Sequence, residues 1–122
     1  MSRTAEEWGR VAVSLPGWRW MPGMRNDRGG RLVVGDESAR RTPDPDDPAT
    51  AGCLLALLGL GRPGWWVATT VLENGQHIVR ASRWGHARVE GQALTLGRAC
   101  IAAAEALGRW PNVVECGRME AE

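Results

Sequence analysis

The chain has no lysine, no phenylalanine and no tyrosine. All fifteen of its basic side chains are therefore arginines, and its seven aromatic side chains are all tryptophans. Isoleucine and asparagine are scarce as well. The missing residues share AT-rich codons, so a GC-rich genome accounts for the pattern and the arginine content alone signals no function. No strong charge of either sign is present. The formal net charge is +1, which argues against a general binder of nucleic acid or membrane, since such proteins carry a clear basic excess. No long hydrophobic run is present either. The longest apolar stretch, 51–60, falls well short of the ~20 residues needed to cross a bilayer. Glu6, Glu7 and Arg10 interrupt the opening, so no leader pattern is expected there.

Cysteine is sparse and unpaired. Cys53, Cys100 and Cys116 show no CxxC or His-x-x-x-His spacing, so neither a disulfide framework nor a structural zinc site is expected. Cys53 and Cys100 fall in apolar helical patterns and read as small buried hydrophobes. The expected compartment is a reducing cytoplasm. With 43% apolar and 24% charged residues, the 122-residue chain fits one globular domain over 1–110, with a short, partly frayed tail over 111–122.

The periodicity predicts an amphipathic helix over 4–14, capped by Thr4, with Trp8, Val11, Ala12 and Leu15 on one face. Pro16-Gly17 stops it. The four residues 18–21 lie between two Pro-Gly turns and are expected to be extended, with Trp18 and Trp20 on one side and Arg19 and Met21 on the other. A strand is expected over 31–35, pairing with 18–21 across the polar 24–30 loop. Residues 36–48 read as a charged surface loop. Asp47 before Pro48 marks a helix start, and the helix runs to about Leu58 before Gly59 and Gly61. Its Cys53, Leu54, Leu55, Leu57 and Leu58 leave almost no polar face, so it is expected to be the most buried element.

Asn74-Gly75 marks a two-residue hairpin turn between strands over 65–72 and 77–83. That register sets Leu72 opposite His77 and Trp66 opposite Arg83, as a cation–π pair. A short third strand is expected over 87–89. Thr95 then caps a last helix that Gly108 closes, with Leu96, Cys100, Ile101, Ala104 and Leu107 inward. The sum is an α+β fold. About three helices cover a mainly antiparallel sheet of about four strands, in the order α-β-β-α-β-β-(β)-α.

Two surfaces stand out as candidate sites. The first comprises Trp18, Arg19, Trp20, Met21, Met24 and Arg25. Tryptophan and arginine are enriched at binding hot spots, and arginine makes forked contacts to phosphate or carboxylate. The same residues also suit a core staple, because tryptophan is highly buried on average. The alternative surface comprises Trp66, Arg80, Arg83, Trp84, His86 and Arg88. Asp44, Asp46 and Asp47 read as a solvated loop and helix cap in preference to a cation site, and no metal or cofactor is expected. His77 and His86 sit in no nucleophile motif. Gly59-Leu60-Gly61-Arg62-Pro63-Gly64 lacks a phosphate-loop ending and reads as a linker.

The C-terminal hairpin, the loop with Arg83, His86 and Arg88, and the Ala-rich helix resemble the second half of a double-stranded-RNA-binding domain. That family needs a basic cluster at the start of its last helix. Here Thr95-Leu96-Gly97-Arg98 supplies one arginine. A second resemblance covers about a quarter of the chain. The segments Trp18-Arg19-Trp20-Met21-Pro22-Gly23-Met24 and Asp46-Asp47-Pro48-Ala49-Thr50-Ala51-Gly52-Cys53-Leu54-Leu55-Ala56-Leu57, with the terminal Ala/Leu helix, look like a group of uncharacterised small phage and prophage proteins of GC-rich bacteria. The resemblance implies a phage accessory protein in the cytosol of an infected bacterium, and it carries over no residue role.

The leading expectation is a non-enzymatic protein that binds a small nucleotide-like ligand or a host protein through the Trp/Arg segment. Its concrete version is antagonism of host defence by sequestering a nucleotide signal, with a homo-oligomer completing the pocket. One rival is a nucleic-acid-binding module using Arg80, Arg83, His86 and Arg88. A phage structural or assembly component is another, and an enzyme using His77 or His86 ranks last.

Overall fold

A computed structural model describes residues 3–33 and 41–111. Its element order is α1 (Ala5–Ser14), α2 (Pro48–Leu57), β1 (Trp65–Val71), β2 (His77–Arg83), β3 (Val89–Ala93) and α3 (Leu96–Leu107). The architecture is α+β, with three helices and a three-stranded antiparallel sheet in the order β1-β2-β3.

Each helix starts where a side chain satisfies its free N–H groups. Thr4 Oγ1 accepts from the Glu7 N–H at 3.1 Å, while Glu7 Oε1 accepts from the Thr4 N–H at 2.7 Å, a reciprocal capping box. Asp47 caps α2 by accepting from the Thr50 N–H at 3.0 Å, with Pro48 in the first turn. Thr95 caps α3, and Gly108 ends it in the left-handed conformation at φ 87°.

α3 is the hub. It packs against α1, α2, β2 and β3, and Gly97, Ala99, Cys100, Ile101, Ala103 and Ala104 are all buried. The rank of most buried element therefore belongs to α3, not to α2. The reason is residue size: small side chains let neighbours approach α3 from several sides. α2 instead leaves Pro48, Ala49 and Gly52 exposed. Gly91 of β3 shows the same effect. A Cβ there would lie 2.3 Å from both Ala103 N and Ala99 O, so only glycine lets α3 rest on the sheet. The core joins Leu54, Leu57, Leu58, Val79, Ile101 and Ala104 to Ala12, Trp20, Met24 and Trp110.

The N-terminal part departs from expectation. Residues 18–21 form no strand, and no regular pairing joins them to 31–33. A smaller hairpin closes one step later. Asn26 N–H donates to Gly30 O at 2.8 Å, and an isolated bridge joins Arg25 to Arg31. Gly23 N–H to Leu32 O and Leu32 N–H to Met24 O, both at 2.8 Å, complete it. The turn signals around Gly23 and Gly29 bend the chain too often for a long ladder. The sheet thus has three strands where about four were expected. The remainder of the expected 31–35 strand lies outside the described residues.

Part of the expected surface loop is also inside. Thr42, Pro43 and Pro45 are buried. They form a strap wedged between α1 and the start of α3. A Cβ on Gly9 would sit 2.7 Å from Pro43 O, and one on Gly97 only 1.8 Å from Pro45 O. Of the expected 111–122 tail, only Pro111 is described; it is buried and its carbonyl accepts from Arg62 Nη1 at 3.2 Å. Cys116 lies outside the described residues.

The hairpin turn is one residue longer than expected. Val71 pairs with His77, Ala68 with Arg80, Trp66 with Ser82 and Trp65 with Arg83. Leu72 and Gln76 close the ladder, and Gly75 N–H returns to Leu72 O at 2.9 Å. Gly75 has φ 88° while Asn74 does not have positive φ, so the loop is a type I turn followed by a left-handed glycine. A two-residue turn would need positive φ at both. The slip moves every expected partner by one, and the Trp66–Arg83 pair does not form. β3 spans Val89–Ala93 instead of 87–89.

Candidate functional site

The Trp/Arg segment is largely absorbed into the core. Trp20 is 7% exposed and Met24 is fully buried. Trp18 packs edge-on against Trp20 with ring centroids 5.5 Å apart, and against Trp110 at 5.9 Å. Trp110 in turn donates Nε1 to Ala12 O at 2.9 Å and its backbone N–H to Pro16 O at 2.8 Å. Trp18 Nε1 is buried without a hydrogen-bond partner among the described residues. Met21 packs on the same cluster. Arg19 and Arg25 alone of the six are exposed. Arg25 lies 3.9 Å from Asp44, and its backbone N–H donates to Thr50 Oγ1 at 2.8 Å.

The acidic residues of the strap are separated by their partners. Arg31 reaches both Asp47 oxygens at 2.9 Å, and this pair, opposed by burial and aided by Thr50, holds the Asp47 carboxyl well below the usual carboxylate range. Asp46 accepts from Thr95 Oγ1 at 2.8 Å and from Arg98 Nε and Nη2 at 3.0 and 2.9 Å. Burial raises the Asp46 carboxyl, but the Arg98 and Thr95 bonds outweigh it and the net shift is downward. Arg98 is thereby tied to its own chain at the helix start where a double-stranded-RNA-binding domain would need free basic residues. Burial pushes the thiols of Cys100 and Cys53 up, which disfavours the nucleophilic thiolate. Among the described residues, no group of three or more His, Cys, Asp or Glu side chains converges on one point as a metal set would.

A different geometry holds at the far end of the β1–β2 hairpin. There the ladder continues one bond past the strands, with Trp84 N–H donating to Gly64 O at 2.9 Å. The chain then reverses through Arg83-Trp84-Gly85-His86, closed by His86 N–H to Arg83 O at 2.9 Å. Gly85 has φ 82° and Trp84 does not have positive φ, which is the type II pattern. This turn lifts Trp84 off the sheet, leaving it 75% exposed. Trp66, 41% exposed, stands on the sheet face opposite α3, because its register partner Ser82 alternates with Ala81 and Val79, which face the helix.

Trp66, Ser82, Arg83, Trp84, Gly85, His86 and Arg88 line an open cleft of about 440 Å³. The Arg88 guanidinium lies 6.0 Å from the Trp66 ring centre. The Arg83 guanidinium makes no hydrogen bond or ion pair among the described residues, and no carboxylate lines the cleft. Five of the six residues of the alternative surface meet here. Arg80 does not: it is bound to Glu90 at 2.8 Å further along β2. Ser82 and Gly85 were missed. A register one residue over would have put Ser82 beside Trp66, and the Trp-Gly pair is itself a turn signal. His77 is half-buried in the sheet, away from the cleft.

No protein-family model, curated protein or solved structure is detectably similar to the chain. Among the described residues, no helix is long and apolar enough to cross a membrane.

Proposed function

We propose that this protein is a non-enzymatic module that binds a nucleotide unit on the Trp66–Trp84 cleft. The observation that carries the reading is two exposed tryptophans bordered by Arg83, His86 and Arg88 with no carboxylate between them. A base is planar and stacks on an indole ring, and the arginines offer forked donors to its phosphate. The volume suits one nucleotide, and the open side allows that nucleotide to be free or part of a single strand. The resemblance to small phage proteins extends the reading to an infected bacterial cell, where sequestering a nucleotide signal is the role we assign.

The Trp/Arg segment is the rival site, and it enters this reading only through Arg19 and Arg25. The test is titration of AMP and of a short oligothymidylate, followed by tryptophan fluorescence, across a range of salt. Binding of both probes, steeper in salt for the oligomer, supports a nucleotide site that also accepts a strand. Binding of AMP alone assigns a free nucleotide. Trp84→Ala is expected to weaken binding at least about fivefold while Arg19→Ala leaves it unchanged. The reverse pattern, or no binding of either probe, overturns the assignment.

A further inference from the structure

The sheet has two edges, and they are built differently. β3 is short, carries Glu90 and packs its glycine against α3. β1 is seven residues long, Trp-Trp-Val-Ala-Thr-Thr-Val, with no charge, no proline and no break in its register. Natural edge strands are protected from pairing with other chains by charge, proline, bulges or a cover. The first three are absent from β1. Among the described residues, no backbone bond from outside the sheet reaches Val67, Thr69 or Val71.

The ladder bonds fix which groups are free. Gly64 bonds to Trp84 and Leu72 to Gln76, so both ends of the hairpin are hydrogen-bonded pairs. Such pairs alternate along an antiparallel ladder. Trp66, Ala68 and Thr70 therefore spend their N–H and C=O groups on β2. Val67, Thr69 and Val71 turn theirs outward, as does the Trp65 carbonyl. The Trp65 N–H is already held by Arg62 O at 3.1 Å.

We infer that the protein self-associates by antiparallel pairing of β1 with β1 of a second copy, with the two-fold axis at Ala68. Full overlap of the two strands sets this register. Val67 then exchanges both backbone bonds with Thr69 of the second copy, and Thr69 does the same with its Val67. The Val71 N–H meets the Trp65 carbonyl, and the occupied Trp65 N–H falls at the frayed ends of the pair. On the open face, Ala68 meets Ala68 in a non-bonded pair, where the chains come closest and a small side chain is needed. Trp66 falls beside Thr70 of the second copy. On the helix side, Val71, 61% exposed, is covered by Trp65. A charge-free strand meets no repulsion from its own copy. The product is one continuous sheet in which both Trp66–Trp84 clefts share a face, their Trp66 positions offset by about 14 Å along the strands at ~3.4 Å per residue. This inference rests on the edge strand alone and stands whether or not the cleft binds a nucleotide.

The experiment is sedimentation velocity from 1 to 200 μM, together with disulfide trapping. The wild-type chain is expected to shift from monomer to dimer across this range. Thr69→Pro removes an outward N–H without touching the β1–β2 ladder, so it is expected to stay monomeric with a near-native circular dichroism spectrum. In a Cys53→Ser, Cys116→Ser background, Ala68→Cys is expected to form a reducible dimer on mild oxidation, because Cα atoms at a non-bonded pair lie within disulfide reach. A monomer throughout overturns the inference. So does a Thr69→Pro variant that is folded and still dimeric. Trapping at Thr69→Cys without trapping at Ala68→Cys overturns the register.

Discussion

Two regions of this molecule have nearly the same ingredients and opposite fates. Residues 18–25 hold two tryptophans and two arginines, and so do residues 83–88 together with the facing Trp66. In the first region the rings are enclosed, with Trp20 and Met24 in the core and Trp18 against Trp110. In the second the rings are exposed beside Arg83, whose side chain makes no ion pair among the described residues. Composition does not separate the two. What separates them is what lies within reach. Pro16-Gly17 turns the first segment back under the end of α3, where Trp110 waits. The type II turn at Gly85 throws the second outward past the last bond of the ladder, where none of the described residues covers it.

The strongest way to break this contrast is to empty the buried cluster. Trp20→Ala is expected to cost about 3–5 kcal/mol in denaturant unfolding, as for other buried aromatics, with nucleotide affinity unchanged in the fraction that remains folded. A cost under about 1 kcal/mol would make the cluster peripheral.

Next in size is the brace that holds the N-terminal hairpin to α2. Asp47→Ala removes the helix cap and the Arg31 pair together, for an expected loss of about 2–3 kcal/mol. The same carboxyl predicts a pH dependence. Its folded pKa lies below the unfolded one, so its contribution is complete above the ordinary carboxylate range and fades as pH falls through and below that range. Melting temperatures from pH 7 down to pH 2.5 should therefore fall more steeply for the wild type than for Asp47→Ala. Parallel curves would assign acid sensitivity elsewhere.

The exposed cluster is sharpened by Trp84→Ala. Loss of one stacking platform is expected to cost about 1–3 kcal/mol of binding, with thermal stability within about 0.5 kcal/mol of the wild type. The smallest effect concerns the turn that sets which residue faces Trp66. Gly75→Val is expected to destabilise by about 1 kcal/mol, because Gly75 needs positive φ, while Asn74→Ala costs less, losing only the exposed bond that Asn74 Oδ1 accepts from the Gln76 N–H at 3.0 Å. Equal costs at both positions, read by thermal melts, would restore the two-residue turn.

Helix starts and stops were legible in the sequence because they are local. Thr4, Asp47 with Pro48, Thr95 and Gly108 each act on groups within about four residues of themselves. The hairpin's existence was legible too, but not its register, since Asn-Gly fits both a two-residue turn and the end of a three-residue one. β3 was misplaced because Gly91 reads as a strand breaker; its missing side chain matters only once α3 lies on top of it. The fate of Trp18 and Trp20 was illegible for the same reason. It depends on Trp110, nearly the whole chain away. Of the candidate cleft, Trp66, Arg83, Trp84, His86 and Arg88 were named from sequence, whereas Arg80 was lost to Glu90 across the strand pair.

The strap of Thr42, Pro43 and Pro45 has a consequence for the order of folding. Its backbone seats against Gly9 of α1 and Gly97 of α3, elements from opposite ends of the described chain. The two seats are complete together only once both helices are in place, and contacts of long sequence separation are costly to close early. The strap is then expected to act as a closing latch, with its contacts absent from the folding transition state. Weakening it with Gly9→Ala is expected to steepen escape from the native state while leaving the refolding rate alone, visible as a raised unfolding arm in a chevron with an unmoved folding arm. A slowed folding arm would place the strap in the nucleus instead. An unmoved folding arm would tie the lifetime of the folded protein, as distinct from the speed at which it is reached, to two glycines and the carbonyls they admit.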